Sequence, residues 1–398
     1  MRIFVLLSRI PYPLEKGDKL RAFHQIKVLS EKHEIILCAL NPLRNADKQK
    51  AFEQLQPYCR SVNFIDLPPG IRLINILKSY FSGLPLQSGY FYSRNAAKKI
   101  KTLIGEYRPD HLFAQLSRTA RYLVDIPIKK TLDYQDAFSY GLKRRADKSG
   151  FLLKSVFHLE YKRMEAFEKD IFDSFDIKII ISEQDRALIP HPQNHTIVVI
   201  PNGVDMEFFH PLLRKKKQEI VFTGNMNYYP NVDAALFLAK EIMPMVWQRK
   251  PDTRLLLAGA SPHHKVRRLE SRKIKVSGWI DDIREAYATS AIFIAPMRMG
   301  TGLQNKLLEA MAMKIPCITT PLANDALKAK EKEEILTGSS AQQLADALLF
   351  LLNNQQERNK MAENAFGFVK RNYHWSEATA PLEKIMREIS LRNHVKIL

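Results

Sequence analysis

The segment GTGLQNKLLEAMAMKIPCITT, from Gly300 to Thr320, places two glycines and several polar side chains at the start of an apolar helical pattern. Lys306 and Glu309 are three positions apart, so they lie on one face of that helix. Glycines let a ligand approach the backbone, and the first-turn N–H groups favour an anion. A cation and a carboxylate one turn apart suit the phosphates and the ribose of a nucleoside diphosphate. The alternative is a turn glycine with a solvated Lys306–Glu309 pair.

Polar side chains also follow two predicted strands in the first half of the chain. Gln115 and Arg118 follow HLFAQLS, and Asp133 and Asp136 lie in LDYQDAF. Two carboxylates three positions apart suit acid–base chemistry, and one of them could act as a nucleophile.

The loop RIPYPLEKGD follows the first predicted strand and leads into a helix. Gly17 gives this loop flexibility, and Arg21 is the favoured phosphate contact on the helix. His24 is the weaker candidate, because a helical histidine is more often packed at an interface. The predicted acceptor or phosphate side therefore comprises Gly17, Arg21, His24, Gln115, Arg118 and Asp133.

These candidates need a scaffold, and the chain supplies one by alternating short apolar runs with longer helical segments. That alternation is typical of βαβ units and a mostly parallel sheet. The prediction is two doubly wound α/β domains, Rossmann-like and facing across a cleft, because ligands bind at the carboxyl ends of such strands. The first domain covers residues 1–200, a linker 201–216 and the second domain 217–374. A C-terminal helix at 375–398 crosses back to the first domain.

Charge and composition narrow the possible partners. The 398 residues carry 61 Lys and Arg against 42 Asp and Glu, a net charge of +19. This balance suits nucleic acid, an anionic membrane surface or phosphate-rich small molecules. The basic residues are dispersed and form no recognised module, which disfavours nucleic acid. Three cysteines without a CxxC pair favour neither disulfides nor zinc, and indicate a cytoplasmic protein.

Membrane contact is predicted at the surface and not through a span, since no run reaches the ~18 apolar residues that a crossing helix needs. Residues 70–107 mix aromatic and basic side chains at helical spacing. That mixture fits an interfacial surface drawn to anionic lipid at the inner face of the cytoplasmic membrane. The alternative is ordinary core with a solvated basic face.

Three segments together carry a family resemblance: GLQNKLLEAMAMKIPCITTP, VIPNGVDMEFFHP and FTGNMNYYPNVDAALF. They resemble the C-terminal domain of retaining glycosyltransferases of family 4, which have the GT-B fold. IPYPLEKGDKLRAFHQIKVLSEKHEI is similar to bacterial sugar transferases of exopolysaccharide and surface-glycan synthesis. The resemblance implies sugar transfer from a nucleotide diphosphate sugar to a glycan or lipid-linked acceptor, with retained configuration and no further cofactor.

The resemblance also assigns roles to residues. Glu309 matches the second of the family's paired glutamates, which holds the ribose, whereas the first falls on Thr301. The family's diphosphate-clamping arginine and lysine fall near Asn225 and Asn231, and neither residue is charged. The predicted donor-binding set is Gly224, Asn225, Asn227, Trp279, Ile280, Thr301, Gly302, Leu303, Gln304 and Asn305.

Lys306 must then neutralise more of the negative charge on the leaving phosphates, assisted by Arg298. In the front-face mechanism proposed for the family, the leaving phosphate takes the acceptor proton, and Asp136 positions the sugar or the acceptor. The predicted catalytic set is therefore Lys306, Glu309, Asp136 and Arg298.

No Asp-x-Asp spacing occurs, so the sequence predicts catalysis without a metal. Two alternatives stay open: a sugar-nucleotide epimerase of the same two-domain shape, and a sugar-nucleotide binding protein without turnover.

Overall fold

The computed structural model describes residues 1–14, 16–42, 47–148, 150–216, 218–299 and 302–391. The chain divides into two compact units: unit 1 holds Met1–Pro201 and Thr379–Leu398, and unit 2 holds Asn202–Ala378.

The segment predicted as a linker belongs almost entirely to unit 2. The Val204 N–H donates to the Tyr373 carbonyl at 2.7 Å. A side chain added at Gly203 would lie 2.7 Å from the Trp375 ring. These contacts attach the start of the segment to unit 2, which ends at Ala378 and not at residue 374.

Unit 1 is built on a seven-stranded parallel sheet in the order β3-β2-β1-β4-β5-β6-β7. The strands are β1 (Arg2–Leu7), β2 (Glu34–Asn41), β3 (Ser61–Asp66), β4 (His111–Gln115), β5 (Lys130–Gln135), β6 (Ile177–Ile180) and β7 (Val198–Val199). Phe4 and Leu6 of β1 enter one apolar core, and Ile3, Val5 and Leu7 enter another. Alternate side chains of a strand point to opposite faces, so the sheet is covered on both sides.

The helices of unit 1 connect these strands. They are α1 (Gly17–Ser30), α2 (Lys48–Leu55), α3 (Pro69–Ser82), α4 (Leu86–Phe91), α5 (Arg94–Tyr107), α6 (Ser117–Ala120), α7 (Phe138–Lys148), α8 (Phe151–Asp170) and α9 (Glu183–Leu188). The Ser93 and Ser182 hydroxyls accept from backbone N–H groups at the starts of α5 and α9, which satisfies donors that a helix leaves unpaired.

Unit 2 has a six-stranded parallel sheet in the order β10-β9-β8-β11-β12-β13. Its strands are β8 (Gln218–Thr223), β9 (Leu255–Ala258), β10 (Ile274–Gly278), β11 (Ser290–Ala295), β12 (Cys317–Thr319) and β13 (Leu336–Thr337). Its helices are α10 (Tyr229–Phe237), α11 (Met243–Arg249), α12 (His264–Arg267), α13 (Arg284–Ala288), α14 (Asn305–Ala312), α15 (Pro321–Leu327), α16 (Ala341–Asn353) and α17 (Gln355–Asn372). A π turn at Leu238–Ile242 joins α10 to α11.

The last helix, α18 (Trp375–Leu391), begins in unit 2 and ends in unit 1. Leu382 and Met386 of this helix are fully buried in the unit 1 core that also holds Ile3 and Val5. Within the described ranges, no helix combines the length and the apolarity that crossing a bilayer requires.

Candidate functional site

A backbone cradle forms where neighbouring strands β8 and β9 of unit 2 end. Gly224 and Gly259 follow these strands with φ of 153° and 140°. A side chain at Gly259 would lie 1.8 Å from the Gly224 carbonyl oxygen, and one at Gly224 would lie 3.2 Å from the Lys306 Nζ. Only glycine fits this close approach, so backbone is exposed at the carboxyl edge where ligands of such sheets bind.

Lys306 brings a positive charge to the cradle from the first turn of α14. Its Nζ donates to the Asn231 Oδ1 at 2.5 Å and lies 4.8 Å from the centre of the Phe222 ring. The Asn231 side chain in turn donates to the Asn225 carbonyl at 2.9 Å. Asn231 therefore links the loop after β8 to the lysine on α14.

Glu309 lies one turn further along α14 and is held by a buried tyrosine. The Tyr287 hydroxyl donates to the Glu309 Oε2 at 2.7 Å and lies 2.8 Å from the Thr223 hydroxyl oxygen. One carboxylate oxygen is thus fixed by the protein. This contact orients the carboxylate, as a ligand-binding group requires.

Burial shifts the pKa of both groups. Desolvation lowers the pKa of Lys306 to about 7, although the Glu309 carboxylate opposes the shift. Desolvation raises the pKa of Glu309, against the Tyr287 hydrogen bond and the Lys306 charge. Ionisable groups shifted in this way concentrate at ligand-binding and catalytic sites.

The predicted donor-binding residues fall into three loops at the same edge of the sheet. Asn225 and Asn227 are exposed after β8, and the Asn227 N–H donates to the Asn225 Oδ1 at 3.0 Å. Trp279 follows β10 with 64% of its surface exposed. Its neighbour Ile280 packs against the core.

The third loop leads into α14. The Gln304 side chain donates to the Gly302 carbonyl at 3.0 Å, and Leu303 packs on the core. Asn305 accepts from the Asn202 side chain at 3.3 Å. Thr301, also predicted to bind the donor, lies outside the described residues.

Arg298 has carboxylate partners of its own. Its guanidinium donates twice to Asp233, at 2.8 and 3.1 Å, and lies 3.7 Å from Glu241. It also stacks over the Phe237 ring. These contacts fix Arg298 against α10 and the π turn that follows it. The assisting role at the phosphates stays a prediction.

In unit 1, the candidates Arg21 and Asp133 form a fully buried ion pair. The Arg21 Nε donates to the Asp133 Oδ2 at 2.6 Å, and Arg21 also donates to the Pro201 carbonyl at 3.2 Å. The pair ties α1 to β5 inside the unit. Neither side chain is accessible in the structure, and the phosphate contact of Arg21 and the ligand-side position of Asp133 stay predictions.

His24 and Gln115 are also buried. His24 makes an edge contact with Phe23 at 5.5 Å between ring centres. The Gln115 side chain donates to the Asp18 carbonyl at 3.1 Å. Both residues therefore have packing roles in unit 1, and the predicted ligand contacts are not supported by their burial.

Several polar groups of unit 1 that are at least partly exposed lie where β1, β4 and β5 end. Asp18 pairs with Arg9 at 3.2 Å and with Arg118 at 3.7 Å. Asp136 is exposed after β5. Gly17 is exposed at the start of α1.

Two strained residues lie at this edge. Leu116 directly follows β4 and Gln135 ends β5, with φ of 68° and 65°, a conformation that non-glycine residues rarely adopt. Such strain concentrates at ligand sites. It therefore marks the edge that carries Arg118 and Asp136.

Among the described residues, no group of three or more His, Cys, Asp or Glu side chains could hold a metal ion. Metal-independent catalysis stays a prediction.

Gly259, Tyr287 and Arg9 are not among the residues predicted from the sequence. Gly259 follows the apolar run RLLLAGA, and a glycine directly after a predicted strand is the signal that identifies it. Tyr287 carried no signal, because its role depends on packing between α13 and α14. Arg9 follows the first strand, and its pairing with Asp18 becomes visible only in the fold.

Two doubly wound α/β units, the second with a glycine cradle, a lysine and a carboxylate at its strand ends, define the GT-B class of protein. Residues 217–354 match the family model described as glycosyl transferases group 1. The second unit therefore carries a glycosyl transferases group 1 domain, and the chain has the GT-B fold. The predicted fold class and family resemblance are confirmed.

Similar proteins match either nearly the whole chain or about half of it. An uncharacterized 44.6 kDa protein in the cps region of Klebsiella pneumoniae is 23% identical over 94% of this chain and 96% of its own. A phosphatidyl-myo-inositol mannosyltransferase of Mycobacterium tuberculosis is 26% identical over 54% of this chain and 60% of its own. The crystal structure of HepE from Anabaena in complex with UDP matches with a TM-score of 0.69 at 12% identity, covering 98% of this chain and all of HepE.

Proposed function

We propose that this glycosyltransferase transfers a sugar, with retention, from a nucleoside diphosphate sugar to a glycan or lipid-linked acceptor in surface polysaccharide synthesis. The observation that carries the proposal is the position of Lys306 at the Gly224 cradle, with Glu309 one turn away on α14. Backbone N–H groups and one ammonium suit the diphosphate, and the carboxylate suits the ribose hydroxyls.

The chemistry requires stabilisation of the diphosphate as the glycosidic bond breaks, because negative charge builds up on the leaving oxygen. Lys306 supplies a full charge, and Asn231 of α10 orients it by a hydrogen bond. The Tyr287 hydrogen bond holds Glu309 in a fixed orientation for the ribose. Fixing both groups before the donor binds lowers the cost of ordering them.

The relatives support the substrate classes. The Klebsiella pneumoniae protein is placed in a cps region, which favours a polysaccharide product. The mannosyltransferase name includes a phosphatidyl lipid, which favours a lipid-linked acceptor, and HepE was crystallised with UDP. Retention, metal independence and the roles of Asp136 and Arg298 rest on the family resemblance.

The first test is nucleotide binding. UDP, GDP and ADP are screened by thermal unfolding, and we expect one of them to stabilise the protein. Lys306→Met and Glu309→Gln should each lower the affinity for that nucleotide by about tenfold or more, because each removes a charge-assisted contact. Lys240→Met, at an exposed lysine of the π turn, is the matched control and should bind normally. Unchanged binding by both site variants would refute the proposal.

The second measurement separates turnover from the two alternatives. With donor and glycan or lipid-linked acceptor, we expect nucleotide release that depends on the acceptor and persists in EDTA. NMR of the product should show the donor's anomeric configuration. A rearranged donor formed without acceptor would identify an epimerase, and binding without turnover would identify a sugar-nucleotide binding protein.

A further inference from the structure

Helix α3 of unit 1 turns its apolar side toward solvent. Leu73, Ile74, Leu77, Tyr80 and Phe81 are all more than half exposed, Phe81 at 83%. Their spacing places them on one face of the helix. Among the residues that the structure describes, α3 contributes no side chain to the apolar cores. An exposed apolar face of this extent indicates an interaction surface.

Polar contacts hold α3 in this orientation. The Asn75 side chain donates to the Tyr92 carbonyl at 2.6 Å, and Arg163 of α8 donates to the Tyr80 carbonyl at 2.8 Å. Glu160, also on α8, accepts from two backbone N–H groups at the start of α4, at 2.9 and 3.2 Å. The inner side of α3 is therefore attached to α4 and α8, and the apolar side stays outside.

Helix α8 adds a second apolar stripe next to the first. Leu153, Val156 and Leu159 are exposed at intervals of three residues, and Arg163, one turn after Leu159, touches Tyr80. We call these three residues, with the five exposed apolar residues of α3, the docking face.

The chain segment that carries α3 has charges of one sign. Residues 67–105 contain no Asp or Glu. The same stretch carries six basic residues: Arg72, Lys78, Arg94, Lys98, Lys99 and Lys101. Helices that bind membrane interfaces combine an apolar face with flanking lysines and arginines. The combination is therefore complementary to an anionic bilayer.

A cavity of ≈350 Å³ opens beside the docking face. Its lining includes three cationic side chains and three serine hydroxyls, those of Lys78, Arg94, Arg121, Ser79, Ser82 and Ser93, and includes no carboxylate. The start of α5, a 14-residue helix, contributes to the same lining. Cations, hydroxyls and a helix N-terminus together suit a phosphate.

We propose that the docking face binds the surface of an anionic bilayer, with the cavity taking the phosphate of a lipid headgroup. The apolar stripes enter the acyl boundary while the basic residues face the headgroups. These features favour a lipid surface over a protein partner, because the apolar face and the phosphate pocket without carboxylates both match lipid. Presentation of a lipid-linked acceptor rests on the proposed function, whereas bilayer binding does not.

The test uses the full chain and flotation with two kinds of vesicle, phosphatidylcholine alone and phosphatidylcholine mixed with phosphatidylglycerol. We expect binding to the mixed vesicles, loss of binding in high salt, and little binding to phosphatidylcholine. Phe81→Asp should lower the partition coefficient by about tenfold or more. Phe350→Asp, at an exposed phenylalanine of α16 in unit 2, is the matched control and should bind as the parent protein does.

Equal binding to both kinds of vesicle, or normal binding of Phe81→Asp, would overturn the proposal. Sedimentation of the protein without lipid tests the remaining possibility, that a second copy of the chain occupies the docking face. A dimer abolished by Phe81→Asp, together with no vesicle binding, would show that the docking face joins two copies of the chain instead.

Two double variants with equal charge test the cavity. Lys78→Gln with Arg94→Gln should reduce binding to the mixed vesicles several-fold more than Lys98→Gln with Lys99→Gln. Equal losses would show diffuse attraction only and would overturn the cavity assignment. Stabilisation by the nucleotide that the thermal screen identifies should be unchanged in all these variants, so a failure here is distinguishable from a failure of the proposed function.

Discussion

Lys306 places a positive charge in a partly buried position with a neutral amide, Asn231, as its hydrogen-bond acceptor. Desolvation lowers the pKa of Lys306 to about 7, so the free site loses its charge as the pH rises through neutrality. A bound diphosphate favours the ammonium form and raises this pKa again. Donor binding is therefore coupled to protonation of one residue.

This coupling predicts a pH dependence for nucleotide binding. Above about pH 7 the affinity should fall, approaching tenfold per pH unit, because the complex then takes up a proton that the free site lacks. Below about pH 7 this group should have little effect, since it is already charged. Titration calorimetry in two buffers of different ionisation enthalpy measures both the affinity and the proton uptake.

Lys306→Met is the control for this experiment, because it retains the titration of the nucleotide phosphate and removes that of the lysine. The variant should bind more weakly and lose the decline in affinity above neutral pH. Equal pH profiles for the parent protein and the variant would contradict the assignment.

At the level of single residues, local pattern predicted part of the site. Lys306 and Glu309 belong to one loop and helix, so their spacing was sufficient to place them together. Arg21 and Asp133 are 112 positions apart, and no local pattern shows that they neutralise each other inside unit 1. The position of charged residues at strand ends was therefore predicted more reliably than whether those residues are exposed.

At the level of elements, the approach between the loops after β8 and β9 depends on a residue without a side chain. Gly259→Ala would put a methyl group 1.8 Å from the Gly224 carbonyl oxygen. The backbone must move, and we expect a loss of more than ~2 kcal/mol in unfolding free energy. Denaturant unfolding measures the loss, and nucleotide binding should weaken with it.

Gly105→Ala provides the matched substitution. Gly105 lies within α5 and has no atom within 4 Å of an added side chain. Alanine favours a helix interior over glycine by about 0.5–1 kcal/mol, so this variant should be neutral or more stable. If Gly259→Ala were as stable as Gly105→Ala, the close approach would not constrain the site.

The strands were predicted better than the helix ends. A buried parallel strand such as β1 is a continuous apolar run, and such runs stand out from their charged flanks. Helix α13, for example, covers only Arg284–Ala288, because Ser290 already pairs in β11. The exposed face of α3 could not be separated from core by its periodicity, since an apolar stripe does not reveal what it faces.

At the level of the whole molecule, helix α18 and strand β1 are far apart in the sequence but share one apolar core. Leu382 and Met386 of α18 pack with Ile3 and Val5 of β1, and His111 of β4 lies 3.1 Å from the Ser390 hydroxyl oxygen. Unit 1 therefore contains two separate parts of the chain, and its stability depends on both of them.

Met386→Ala tests this dependence. Removal of a fully buried side chain leaves a cavity and should lower the unfolding free energy of unit 1 by about 2–5 kcal/mol. Hydrogen exchange should rise in β1 and β2 of unit 1, whereas exchange in β8 and β9 of unit 2 should stay unchanged. Leu213→Ala, at a side chain that is 98% exposed, should change stability by less than about 0.5 kcal/mol. Faster exchange in β8 and β9 alone would show that α18 supports unit 2 instead.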